Sequence, residues 1–198
     1  MKNVPYEIVV IGASFGGLSA LQILLPEIAA DFPLPIVIVQ HRGKYENSGL
    51  CEFLRRHSSL PLDEPDDKEE IEAGRVYLAP RDYHLLIERG HFALSTEAAV
   101  SYARPSIDVL FESAVEAYKN AVVGLILTGA NADGAQGLAQ IKAHGGLAIV
   151  QDPSSAEARA MPEAAIAATA IDCILPISEI APFLNQLCRQ VSRSSYGM

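Results

Sequence analysis

Two apolar runs in this chain end in glycine-rich turns, and each turn leads into a helix. The first is Ile8-Val9-Val10-Ile11, followed by Gly12-Ala13-Ser14-Phe15-Gly16-Gly17. The second is Ala121–Leu127, followed by Thr128-Gly129-Ala130-Asn131-Ala132-Asp133-Gly134. A run that is apolar throughout belongs in a strand covered on both faces, as in a parallel sheet. Further strand-like runs at 35–40, 75–79, 147–150 and 171–175 alternate with helical patterns at 18–30, 47–57, 106–117, 135–144 and 177–191. Pro162 is placed to open one more helix at its first position. Around Arg89-Gly90 two short runs, 84–88 and 91–95, read as a hairpin. The expected fold is therefore α/β: a three-layer α/β/α sandwich with a mainly parallel, doubly wound sheet plus one β-hairpin. The stretch 60–73 is rich in proline and acid, and its charge run Asp63–Glu72 reads as a solvated loop.

The length of 198 residues suits a single domain, 1–198. With 49% hydrophobic and 20% charged residues the chain can fill a sizeable core and is not disordered. Cys51, Cys173 and Cys188 are odd in number and far apart, so neither a disulfide framework nor a metal site is expected from them. The formal net charge of −9 argues against nucleic acid and against an anionic membrane surface as partners. No run approaches the roughly twenty apolar residues that span a bilayer. The apolar N-terminal run is broken by Pro5 and Glu7 and consumed by the first strand, so it is not a signal peptide. A soluble cytoplasmic protein is expected.

In parallel α/β folds, ligands bind at the carboxyl ends of the strands. Gly12-Ala13-Ser14-Phe15-Gly16 places a serine at that end, on a turn tight enough to lift its hydroxyl clear of the backbone. The helix N-terminus behind it, at Phe15 and Gly16, offers N–H groups to a developing negative charge. Gly12, Ser14 and Gly17 also overlay a dinucleotide-binding turn, with serine at the middle glycine. That reading wants an acidic residue after the second strand to hold a ribose; Gln40-His41 stands there instead. A histidine is what a serine nucleophile needs. Asp133, past the 121–127 strand, can orient the histidine. Ser14, His41 and Asp133 thus fill the roles of nucleophile, base and orienting carboxylate.

Each residue also has a plainer role. Ser14 can be a small turn residue, and Asp133 can be the N-cap of helix 135–144. His57, His84, His91 and His144 compete with His41, although none follows a parallel strand as directly.

Several segments together resemble the catalytic domain of the CheB family, the chemotaxis protein-glutamate methylesterases. They are Gly12–Gly17, Val39-Gln40-His41-Arg42, Ala79–Leu85, Arg104–Phe111, Leu127–Ala135, Gln151-Asp152 and Met161–Ile166. The resemblance runs in order over nearly the whole chain. It implies hydrolysis of γ-glutamyl methyl esters, with deamidation of selected glutamines, on the helical signalling region of methyl-accepting chemotaxis receptors. Ser14 would attack, His41 would move the proton, Asp133 would orient His41, and neither metal nor organic cofactor would be needed. Phe15 stands where the family often has threonine, and Ala130 where it often has methionine; a backbone N–H near Ala130 can still serve an oxyanion. These changes keep open a related ester or amide hydrolase with another substrate, and a non-catalytic binding module on the same fold. Many family members carry an N-terminal phosphoacceptor domain. With the first strand starting by residue 8, the expectation is a stand-alone catalytic domain, ungated or controlled by a separate regulatory chain.

Overall fold

The computed structural model describes residues 6–42 and 49–194. The chain opens with β1 (Ile8–Ala13), α1 (Gly17–Leu24), β2 (Ile36–Gln40) and α2 (Leu50–His57). Next come β3 (Leu62–Asp63), β4 (Val76–Leu78), the hairpin strands β5 (His84–Glu88) and β6 (His91–Ser95), and α3 (Ile107–Tyr118). It closes with β7 (Val122–Ile126), α4 (Ala135–Ala143), β8 (Leu147–Gln151), α5 (Ala160–Ala168), β9 (Cys173–Leu175) and α6 (Ile177–Ser194).

Seven strands form one sheet in the order β3-β4-β2-β1-β7-β8-β9, every pairing parallel. Along β1 the side chains alternate between two cores. Ile8 and Val10 face the core built with α3, α4, α5 and the hairpin, whereas Val9, Ile11 and Ala13 face the core built with α1, α2 and α6. Both faces of the sheet are therefore covered, and the central strands β1, β2 and β7 are buried along their whole length. The strand order runs outward from β1 through β2 on one side and through β7 on the other. This reversal between β1 and β7 is the position at which such sheets hold ligands.

The expected architecture is observed, and the local differences have physical causes. The acidic stretch is not simply solvated. Leu62 is buried in β3 and pairs with Val76, Lys68 N–H donates to Phe92 O, Phe92 N–H to Glu69 O, and Ile71 N–H to Gly90 O. Its backbone thus continues along the hairpin edge, and Asp63 sits between Arg55 and Arg75. Pro162 is the third residue of α5, not the first. Proline is tolerated there because first-turn N–H groups have no intrahelical acceptor. Pro26 is the second residue of a single 3-10 turn, Leu25–Glu27, that follows α1. Residues 47 and 48, expected to start the helix of 47–57, lie outside the described residues. Cys51 and Cys173 are partly buried, and Cys188 is buried, which pushes its thiol up to about 11.

Candidate active site

β1, β2 and β7 deliver three turns to one rim. The chain leaves β1 at Ser14, whose N–H donates to Thr128 O at 3.0 Å. It then turns through Gly16, where φ is +78°. A Cβ on Gly16 would lie 2.6 Å from Cβ of Glu157, so glycine is needed for both conformation and space. Beside it, His41 N–H donates to Ala13 O at 2.9 Å. Gln40 is buried, and its Nε2 donates to Ser14 O at 2.9 Å and to His41 O at 2.8 Å. One amide therefore ties the serine turn to the histidine turn.

His41 and Asp133 meet. His41 Nε2 lies 2.8 Å from Asp133 Oδ2, with Asp133 only 2% exposed. Asp133 does not cap α4 as its position in the sequence suggests; the α4 N-cap is Gly134, with no side-chain cap. The Asp133 carboxylate instead reaches across to the start of α3. It accepts Ile107 N–H at 2.7 Å, Asp108 N–H at 3.1 Å and Ser106 Oγ–H at 2.9 Å. Burial works to raise the Asp133 carboxyl, but the His41 hydrogen bond and the Ile107 and Asp108 N–H groups outweigh it and hold the pKa below the ordinary value. An anion at a helix N-terminus is also favoured by the helix dipole. An ionised Asp133 only accepts, so His41 carries its proton on Nε2.

The other ring nitrogen, Nδ1, stands 3.3 Å from Asn131 Nδ2. Ser14 is partly buried and shares cavity walls with His41, but its hydroxyl makes no hydrogen bond to the ring in this arrangement. Two shallow cavities, about 580 and 630 Å³, meet at Ser14 and His41. One has an apolar wall of Phe15, Leu18, Leu50 and Phe53. The other includes Arg42, Arg81, Arg104 and Tyr102. Phe15 is 61% exposed and Ala130 is also exposed, so the two departures from the family pattern lie at the surface beside the serine.

The competing histidines are engaged elsewhere. His84 is buried, accepts Ser106 N–H on Nδ1 and pairs through Nε2 with Ala98 O. His57 bonds Phe53 O, His144 bonds Gln140 O, and His91 pairs with Glu88 on the hairpin.

A family model described as CheB methylesterase matches residues 9–184. The chain belongs to the CheB methylesterase family. The crystal structure of the Thermotoga maritima CheB methylesterase catalytic domain superposes with a TM-score of 0.87 at 35% identity, covering 93% of this chain and all of that one. A relative from Leptospira interrogans is 48% identical over 183 residues, which is 92% of this chain and 95% of the relative. A protein-glutamate methylesterase/protein-glutamine glutaminase from Archaeoglobus fulgidus is 38% identical over 177 residues, 87% of this chain but 51% of the relative. This CheB-type chain therefore spans about half the length of some relatives and nearly all of others. Among its described residues, no helix is long and apolar enough to cross a membrane.

Three side chains of this CheB-family site escaped sequence reasoning: Gln40, Ser106 and Asn131. Gln40 and Ser106 act through long-range contacts that no local pattern encodes. Asn131 did leave a signal. An asparagine two residues before another turn residue favours an Asx turn, and Asn131 Oδ1 accepts Asp133 N–H at 3.1 Å.

Proposed function

We propose that this chain is a serine hydrolase that demethylates glutamyl methyl esters of chemoreceptors and deamidates receptor glutamines. Ser14 is the nucleophile, His41 the base and Asp133 the group that holds the base. The observation that carries this reading is the 2.8 Å bond between His41 Nε2 and the buried Asp133 carboxylate, on a rim shared with Ser14. The relatives' names supply the glutamyl ester and glutamine chemistry, and the resemblance to chemotaxis methylesterases supplies the receptor.

Because Nε2 is committed to Asp133, the base is Nδ1. Ser14 Oγ bonds to the ester carbonyl carbon while its proton passes to Nδ1. The carbonyl oxygen becomes an oxyanion, for which the Phe15 and Ala130 N–H groups are the donors; neither has a partner among the described residues. Collapse expels the methoxy group, which takes the proton from Nδ1 and leaves as methanol. Water then attacks the glutamyl-Ser14 ester, gives a proton to Nδ1, and collapse returns that proton to Ser14 Oγ. With glutamine the first leaving group is ammonia. Asp133 stabilises the imidazolium in each half-reaction. The apolar wall at Phe15 and the Arg104 side chain on the other wall suit an amphipathic helix carrying acidic residues, while Arg42 is already paired with Glu64.

The test is incubation of purified protein with methylated receptor fragments, following methanol, and with glutamine-bearing fragments, following ammonia. Release of both is expected. Hydrolysis of a simple ester without methanol from receptor fragments would replace the substrate with another carboxylic ester. Silence on every ester and amide, with tight fragment binding, would replace the enzyme with a binding module.

A further inference from the structure

The imidazole of His41 is held at both nitrogens by one turn. Asp133 takes Nε2, and Asn131, two residues earlier, takes Nδ1. The orientation of the Asn131 amide is set independently of the histidine. Its Oδ1 accepts Asp133 N–H, so its NH2 group is the end that faces the ring. A donor facing Nδ1 requires a lone pair there, in agreement with the proton that Asp133 draws to Nε2.

We infer that Asn131 is a positioning residue that fixes the reactive tautomer of His41 and competes with the Ser14 hydroxyl for Nδ1. This rests on the esterase reading above. In the resting arrangement the amide occupies the lone pair that must accept the serine proton. Attack therefore requires Ser14 Oγ–H to replace Asn131 Nδ2–H on Nδ1. Once the proton has moved to Nδ1, the amide NH2 would face another donor, so the Asn131 bond supports only the neutral ring. Asn131 thus aligns the base before reaction and opposes its protonation. Among the described residues, the other charged groups around the ring's cavity are Arg42 with its ion-pair partner Glu64, Arg81, Asp82 and Arg104, with Asp133 on Nε2 and Asp108 behind it. None of them occupies Nδ1.

Asn131 is exposed, so its replacement leaves the core intact. Asn131→Asp keeps an oxygen for Asp133 N–H but turns a carboxylate toward Nδ1, which favours the protonated ring. The acid limb of its kcat/KM profile is expected to move upward by about one pH unit or more, the shift an adjacent opposite charge produces. Asn131→Ala removes the bond to the neutral form and moves the limb the same way by less. ¹⁵N NMR of the histidine rings, recorded in Ser14→Ala protein, reads the tautomer without turnover. The neutral His41 ring is expected to be protonated on Nε2, with its Nδ1 signal altered in both Asn131 variants. Identical profiles and identical ring signals in all three proteins would overturn the inference, as would a neutral ring protonated on Nδ1. Undiminished hydrolysis by Ser14→Ala, with the ring signals still following Asn131, would remove the esterase mechanism and leave this assignment standing.

Discussion

Asp108 and Asp133 cap each other's helices. Asp133 accepts the N–H groups of Ile107 and Asp108 at the start of α3, and Asp108 Oδ1 accepts Gly137 N–H in the first turn of α4 at 2.7 Å. The exchange locks α3 to α4 and fixes the carboxylate that holds His41. It also brings two acids together. Burial raises Asp108 most; the Gly137 N–H opposes it, and the negative charge of Asp133 adds to the rise, so Asp108 titrates at about 6. Asp133, with more donors, takes the lower position.

The pH dependence of stability follows from that division. The folded pKa of Asp108 lies above its ordinary 3.8. The folded state therefore binds the proton more tightly, and this contribution is full below about 3.8 and lost as pH rises through about 6. Asp133 has the opposite sign: its contribution is present above 3.8 and lost as pH falls through its lowered folded value. Asp108→Asn keeps an oxygen for Gly137 N–H and removes the first effect. Thermal melts from pH 4 to 8 are expected to show the variant gaining on the parent as pH rises, with the gap fully open above pH 7. Parallel melting curves would show that Asp108 ionises without resistance.

Ser106 is fully buried, donates to Asp133 Oδ1 and accepts Val109 N–H as the N-cap of α3. Ser106→Ala removes both bonds. A loss of about 1–2 kcal/mol is expected in urea unfolding, the cost of deleting a helix N-cap side chain. An unchanged midpoint would mean that water replaces the hydroxyl at no cost.

Gly134 has φ +92°, and a Cβ there would lie 2.5 Å from Ile107 Cγ2 and 2.6 Å from Ile126 Cδ1. Gly134→Ala therefore combines a left-handed backbone with overpacking against the residue whose N–H binds Asp133. The expected destabilisation is about 3 kcal/mol or more. A circular dichroism melt within two degrees of the parent would contradict this close approach.

The sheet was legible because its central strands are apolar on both faces, a pattern that little else produces. β1, β2 and β7 and the hairpin follow their runs closely. β3 was hidden because a two-residue edge strand sits inside an acidic, proline-bounded stretch, and only pairing with Val76 makes it a strand. His41 could be found because it directly follows a strand. The capping partner of Asp133 could not. The nearest helix in sequence is α4, but the carboxylate turns to α3, brought alongside by packing of Ile107 into the space left by Gly12 and Gly134. Gln40 and Ser106 are similar: their partners lie 26 and 27 positions away in the chain.

Whether Ser14 is the nucleophile is tested most directly by ester turnover of Ser14→Ala, with folding checked by circular dichroism. A fall of at least about a thousandfold is expected, the scale on which removing a triad member acts in other serine hydrolases. A correctly folded Ser14→Ala protein that hydrolyses the ester as fast as its parent would contradict the proposed chemistry.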